Sequence, residues 1–215
     1  MTVAVIDYGS ANLRSVVKAL AHVAPETCVV ITNDPDTVRA VTHIILPGVG
    51  AFADCIRGLT GLPGTDSAPD MAAALNEAVI SRGRPFLGIC LGMQVMARWG
   101  HENGTHEGLD WIKGDVVPIP VVNGLKVPHM GWNEITVERP NHPVLAGIDS
   151  GSSGYFVHSY RFVLGNEGDI LAPVDYGGRM TAIIGRDNMV GVQLHPEKSQ
   201  AVGLRLLSNF LNWRP

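Results

Sequence analysis

Residues Pro85 to Gln94 read PFLGICLGMQ, and the turn they describe decides the fold. Pro85 to Ile89 has the composition of a buried strand, Leu91 to Trp99 that of a helix, and Cys90 stands at the junction. A buried cysteine behaves mostly as a small hydrophobe and needs no glycines beside it. Here Gly88 and Gly92 flank it, two residues away on either side. They let the backbone turn sharply and let neighbouring elements approach. The pattern is a G-x-C-x-G elbow, with sulfur where such a turn presents a nucleophile. A thiol at a helix start is biased towards thiolate, and the Leu91 N–H is free to face a developing oxyanion. On this stretch alone, an inert cysteine in a tight turn reads the same way.

Outward from the elbow, short β-branched runs alternate with helical patterns. Thr2 to Ile6, Cys28 to Thr32 and His43 to Leu46 read as strands, and Leu13 to Val23 as a helix. Asp34 is placed to cap a short helix through Ala40. Gly61 to Pro69, GLPGTDSAP, is loop-like and precedes a helix from Asp70 to Ser81. The second half changes character. Asp115 to Ile119, Asn133 to Val137, Tyr155 to Val157, Arg161 to Leu164, Thr181 to Gly185 and Met189 to Leu194 read as strands with little helix between. An amphipathic helix, Ala201 to Trp213, closes the chain.

Repeated β-α-β units imply an α/β fold with a doubly wound, mostly parallel central sheet and flanking helices. The later strands add an antiparallel β portion. Loops at the carboxyl ends of parallel strands build the active site in such sheets. That rule singles out the loops at Asp7, Pro47, Cys90 and His195. No linker or repeat interrupts residues 1–215, which read as a single domain.

Composition narrows the function. Hydrophobic residues at 46% against 17% charged supply a sizeable core, and a net charge of −4 without a basic run argues against nucleic-acid binding. Three cysteines with no pairing pattern suggest a reducing compartment. The start, MTVAVIDYG, lacks the charged and long apolar regions of a signal peptide, and no run approaches membrane-spanning length. A cytoplasmic location is expected.

A nucleophile needs a base, and the base an orienting group. GVQLHPEKS, Gly191 to Ser199, offers both: His195 and Glu197 are two residues apart, so an extended segment points them the same way. Pro196 between them biases His195 towards that extended backbone. The carboxylate then takes one imidazole nitrogen and leaves the other for the thiol. Taken singly, a histidine and glutamate in a surface turn remain an equal reading.

An elbow cysteine followed much later by HPE resembles the class I glutamine amidotransferases, over nearly the whole chain. PGVGAF (Pro47 to Phe52), GWN (Gly131 to Asn133) and the extension of HPE to HPEKS resemble the histidine-biosynthesis branch of that family. The resemblance implies a glutaminase. Cys90 would attack the side-chain amide of glutamine, His195 would move the proton, and Glu197 would hold the imidazole. Leu91 and a backbone N–H from Val49 or Gly50 would form the oxyanion hole. Gly48, Gln94, Glu102, His158, Ser159 and Tyr160 match positions that hold glutamine. Gln94 lies one helical turn after Cys90, which suits that role. A solvated carboxylate stays open for Glu102, and a core or rim position for His158 and Tyr160.

The same resemblance implies a heterodimer. Ammonia would pass to an eight-stranded β/α barrel cyclase partner, with Asn12, Trp132 and Asn133 at the interface. Lys198 has no catalytic task beside Glu197 and joins them. DYGSANL, Asp7 to Leu13, departs from the family by carrying Ala11 where a glycine usually precedes Asn12. Three other readings remain: a glutaminase of another branch, a non-catalytic glutamine-sensing module, and a cysteine hydrolase on a related sheet. No cofactor is expected, since no Rossmann or P-loop fingerprint appears. Nor is a metal, because His101, His106, His129, His142 and His158 are scattered. Cys28 is expected in the core, and Cys55 in helical packing.

Overall fold

The apolar runs of the first half become strands because both of their faces are covered. Thr2–Ile6 (β1) leads to Leu13–Val23 (α1), Cys28–Thr32 (β2), Pro35–Ala40 (α2), His43–Gly48 (β3), Phe52–Thr60 (α3) and Met71–Leu75 (α4). Helix α4 continues as a π-helical segment over Asn76–Ser81. Phe86–Cys90 (β4) runs directly into Leu91–Gln94 (α5). Trp99–Gly100 (β5), His106–Glu107 (β6), Gly114–Pro118 (β7), His129–Glu134 (β8), Ser153–His158 (β9) and Tyr160–Leu164 (β10) follow. Ile170–Asp175 (β11), Arg179–Arg186 (β12), Met189–Val192 (β13) and Gln200–Asn212 (α6) complete the order. The structure is a computed structural model that describes residues 1–9, 12–61, 71–122 and 124–215. Ala11, the body of the Gly61–Pro69 loop and Asp70 lie outside the described residues.

Seven strands form the central sheet in the order β11-β12-β13-β4-β3-β1-β2. From β13 to β2 neighbours are parallel, while β11, β12 and β13 pair antiparallel. Alternate residues of a strand face opposite ways. Val3, Val5, Ile45 and Leu87 therefore meet Val16, Leu20, Leu206 and Phe210 of α1 and α6 in one core. Ala4, Ile6, Ile44 and Phe86 meet Phe52, Leu59 and Leu75 of α3 and α4 in another. A strand buried on both faces has no solvent side to mark with polar residues. Beside this sheet lie a four-stranded sheet, β10-β7-β5-β6, and the antiparallel pair β8-β9.

Several expectations change. The helix read from Leu91 to Trp99 ends at Gln94. Met96 and Ala97 turn their N–H groups to the carbonyls three residues back, and Arg98 donates to Gly114 O instead. Trp99 is drawn into β5 by this pairing with β7. The strand read from Asn133 to Val137 lies earlier, at His129–Glu134, in register with β9. Strand β11, not anticipated, contains Pro173 and sits at the sheet edge, where proline is tolerated. Cys28 is exposed rather than core, because β2 is the opposite edge. Cys55 is fully buried in α3. No helix among the described residues is long and apolar enough to cross a membrane.

Candidate active site

The elbow exists because two glycines admit backbone where a side chain would collide. A Cβ on Gly92 would lie 1.8 Å from Leu46 O, and one on Gly88 2.5 Å from Gly92 O. Between them Cys90 is held at φ 54° and ψ −110°, a region that L-residues seldom occupy. Strain of this kind persists where the surroundings over-determine it, and it collects at functional sites.

Strand β13 lies parallel to β4 in the sheet, with Val192 beside Ile89, so the chain leaving β13 carries His195 to Cys90. His195 Nδ1 lies 2.9 Å from Glu197 Oε1, and the two side chains are 3% and 0% exposed. The other ring nitrogen, Nε2, is buried, finds no hydrogen bond of ordinary length among the described residues, and interacts with the Cys90 thiol. Burial works against a charge on this ring. Its interactions with Cys90 and Glu197 outweigh that and raise His195 from 6.5 to about 9. Burial likewise works against ionised Glu197, but hydrogen bonds from His195 and Asn12 hold its carboxyl below the ordinary value. Both shifts favour the imidazolium–carboxylate form of the pair.

A cavity of about 370 Å³ opens over this group. Cys90, Leu91 and His195 line it, as do Val49 and Gly50, which leave β3 beside the elbow. Gln94, Glu102, His158, Ser159 and Tyr160 also line it, as do Pro128, Val157 and Lys198. Gln94 Nε2 donates to Tyr160 O at 3.2 Å and to Gln193 Oε1 at 2.9 Å. Glu102 Oε2 accepts from the Phe52 N–H at 2.7 Å, capping α3. Gly48 does not line the cavity; it is buried in β3, paired with Cys90.

The residues read as interface positions fall in different places. Asn12 turns inward and donates to Glu197 Oε1 at 2.5 Å. Trp132 is half exposed on β8, its ring against Tyr155. Asn133 donates to Asp175 O at 2.9 Å and faces His129 Nε2 at 3.3 Å. Lys198 holds its ammonium 5.7 Å over the Tyr155 ring.

Three contributors escape the sequence reading. Ser199 donates to His195 O at 2.6 Å and accepts the Tyr155 N–H at 2.9 Å, bracing the histidine loop against β9. The Tyr8 hydroxyl accepts the Val49 N–H at 3.1 Å. Gln193 is completely buried beside Cys90 and Gln94. Its one visible signal is polarity: it interrupts the apolar run from Met189 to Leu194.

Buried histidines set a pH dependence. His43, His129 and His158 are each pushed from 6.5 to about 4, chiefly by burial. Folded, they stay neutral between those values, whereas the unfolded chain takes up their protons. Their share of the stability is whole above about pH 6.5 and is lost as pH falls towards about 4. His195 has the opposite sign: its share is present below about pH 6.5 and disappears as pH rises through about 9. Denaturant midpoints should therefore fall between about pH 7 and about pH 4.5, well before carboxylates protonate in bulk. A level midpoint over that interval would contradict neutral burial of these rings.

The chain belongs to the class-I glutamine amidotransferase family, whose model matches residues 4–213. The chain is 52% identical over 220 residues to the imidazole glycerol phosphate synthase subunit HisH of Rhodospirillum rubrum, covering 100% of both chains. The subunit of that name from Zymomonas mobilis is 51% identical, over 100% of this chain and 97% of its own. Among solved structures, PurLQS from Thermotoga maritima superposes with a TM-score of 0.73 at 19% identity, over 98% of this chain and 97% of that one. A putative GMP synthase protein from Thermoplasma acidophilum gives 0.69 at 17%, over 99% and 92%.

Proposed function

We propose that this chain is the glutaminase subunit of imidazole glycerol phosphate synthase, with one amidotransferase domain spanning residues 1–215. The observation that carries the reading is the strained Cys90 facing a charged His195–Glu197 pair at the floor of a glutamine-sized cavity. The Cys90 thiolate attacks the side-chain amide carbon of L-glutamine. Negative charge moves to the carbonyl oxygen, where the Leu91 N–H and an N–H at Val49 or Gly50 receive it. His195 gives its proton to the departing ammonia, leaving a glutamyl thioester. Water, losing a proton to His195, then releases glutamate and restores the pair. Glu197, with Asn12 behind it, keeps the imidazole in one orientation throughout.

Gln94 and Glu102, with the His158-Ser159-Tyr160 segment, hold the amino-acid substrate in the cavity. Ammonia leaves into an eight-stranded β/α barrel cyclase partner, docked over the rim that Trp132 and Lys198 present. There it yields imidazole glycerol phosphate and aminoimidazole carboxamide ribonucleotide.

An electrophilic glutamine analogue tests the assignment. It should modify Cys90 stoichiometrically and spare Cys28 and Cys55. Cys28 is the informative control, because it is exposed and would react first with an unselective electrophile. Peptide mass spectrometry finding the adduct on Cys28 instead would reject Cys90 as the nucleophile.

A further inference from the structure

Gln193 follows β13 and buries its side chain completely. A carboxamide removed from water must satisfy both of its ends inside the protein. Its Oε1 lies 2.9 Å from Gln94 Nε2, and its Nε2 lies 3.5 Å from Cys90 Sγ.

The direction of this amide follows from its neighbours. Tyr160 O can only accept, and it lies 3.2 Å from the terminal nitrogen of Gln94. Gln94 must therefore present its NH2 there, and the same NH2 requires an acceptor at Gln193. That places Oε1 of Gln193 towards Gln94 and leaves its N–H aimed at the sulfur. Reversing Gln193 would set two donors against each other and a carbonyl oxygen against the thiolate. The other groups around Tyr160 agree. His158 Nδ1 donates to Tyr160 O at 2.7 Å, so His158 Nε2 accepts from His129 Nδ1 at 2.9 Å. His129 Nε2 is then left to accept from Asn133.

We propose that Gln193 is the fixed donor that steadies the Cys90 thiolate, while its carbonyl oxygen anchors Gln94 in the substrate cavity. A donor on the charged form favours it over the neutral thiol. An uncharged amide supplies this without titrating itself, and burial keeps water from competing. One side chain thus registers the nucleophile against the group that positions its substrate. The inference rests on Cys90 being the nucleophile.

The test measures iodoacetamide alkylation of Cys90 against pH in a Cys28→Ser background, followed on the Cys90 peptide. Gln193→Met and Gln193→Leu both remove the donor while filling a similar volume with apolar atoms. Each should slow alkylation about tenfold at neutral pH and displace the profile to higher pH. In the complex, glutaminase kcat should fall about tenfold while ammonium-driven synthesis is kept. A purely structural role would alter melting temperature and leave the alkylation profile in place, and that result overturns the proposal. If neither variant folds, NMR of the unsubstituted chain decides. The Gln193 side-chain N–H resonances should titrate with the alkylation midpoint, and resonances indifferent to it overturn the proposal equally. A Cys90→Ser variant that still releases ammonia at the full rate would instead remove the nucleophile reading beneath it.

Discussion

Cys90→Ala is expected to abolish glutamine-dependent synthesis in the assembled complex, by at least about ten-thousandfold, while synthesis driven by added ammonium salt survives. On the proposed mechanism, the cysteine serves only the ammonia-generating half of the reaction. No other thiol can replace it, since Cys55 is fully buried, with burial pushing it up to about 12, and Cys28 lies at the far edge of the sheet. The substitution is small, apolar and at a position already 7% exposed, so the interface should remain intact. Parallel assays with glutamine and with ammonium salt check this. Equal loss of both activities would show that Cys90 supports the complex rather than the hydrolysis.

The chain alone is expected to hydrolyse glutamine about a hundred- to a thousandfold more slowly than the complex carrying the nucleotide ligand, the loss produced by one missing oxyanion donor. The Val49 N–H already has an acceptor in the Tyr8 hydroxyl at 3.1 Å, and the same hydroxyl lies 3.5 Å from Val49 O. While that bond holds, this N–H is not available to a developing oxyanion. Gly48 and Gly50 flank Val49, and Gly50 sits at φ 95°, so reorienting the peptide between them is sterically cheap. Tyr8 and Asn12 belong to the same loop after β1, one touching Val49 and the other Glu197. A partner contacting that loop would bias both at once, provided it favours the competent arrangement differentially. The stimulation should appear in kcat, because the hole acts on the transition state. Tyr8→Phe, which removes the competing acceptor, should raise the partner-free rate several-fold. An isolated chain running at the full coupled rate would rule out a latent hole, and stimulation confined to KM would move the switch to substrate binding.

The parallel sheet and its sharp turn at Cys90 were legible in the sequence. Runs such as Val3 to Ile6 and Phe86 to Ile89 are apolar at every position, which only strands covered on both faces require. Gly88 and Gly92 around Cys90, and Pro196 between His195 and Glu197, are local devices whose effect is confined to a few residues of chain. Local rules therefore suffice for them. The tertiary structure decided what depends on distant partners. Helix α5 stops at Gln94 because Arg98 finds Gly114 across the fold, and Cys28 is exposed because, among the described residues, its strand ends the sheet. Asn12 meets Glu197 across 185 positions, Tyr8 meets Val49 across 41, and Gln193 meets Cys90 across 103. A polar side chain displays its chemistry in the sequence but not its partner. That partner is chosen when packing removes water and leaves one geometry in which each buried donor finds an acceptor.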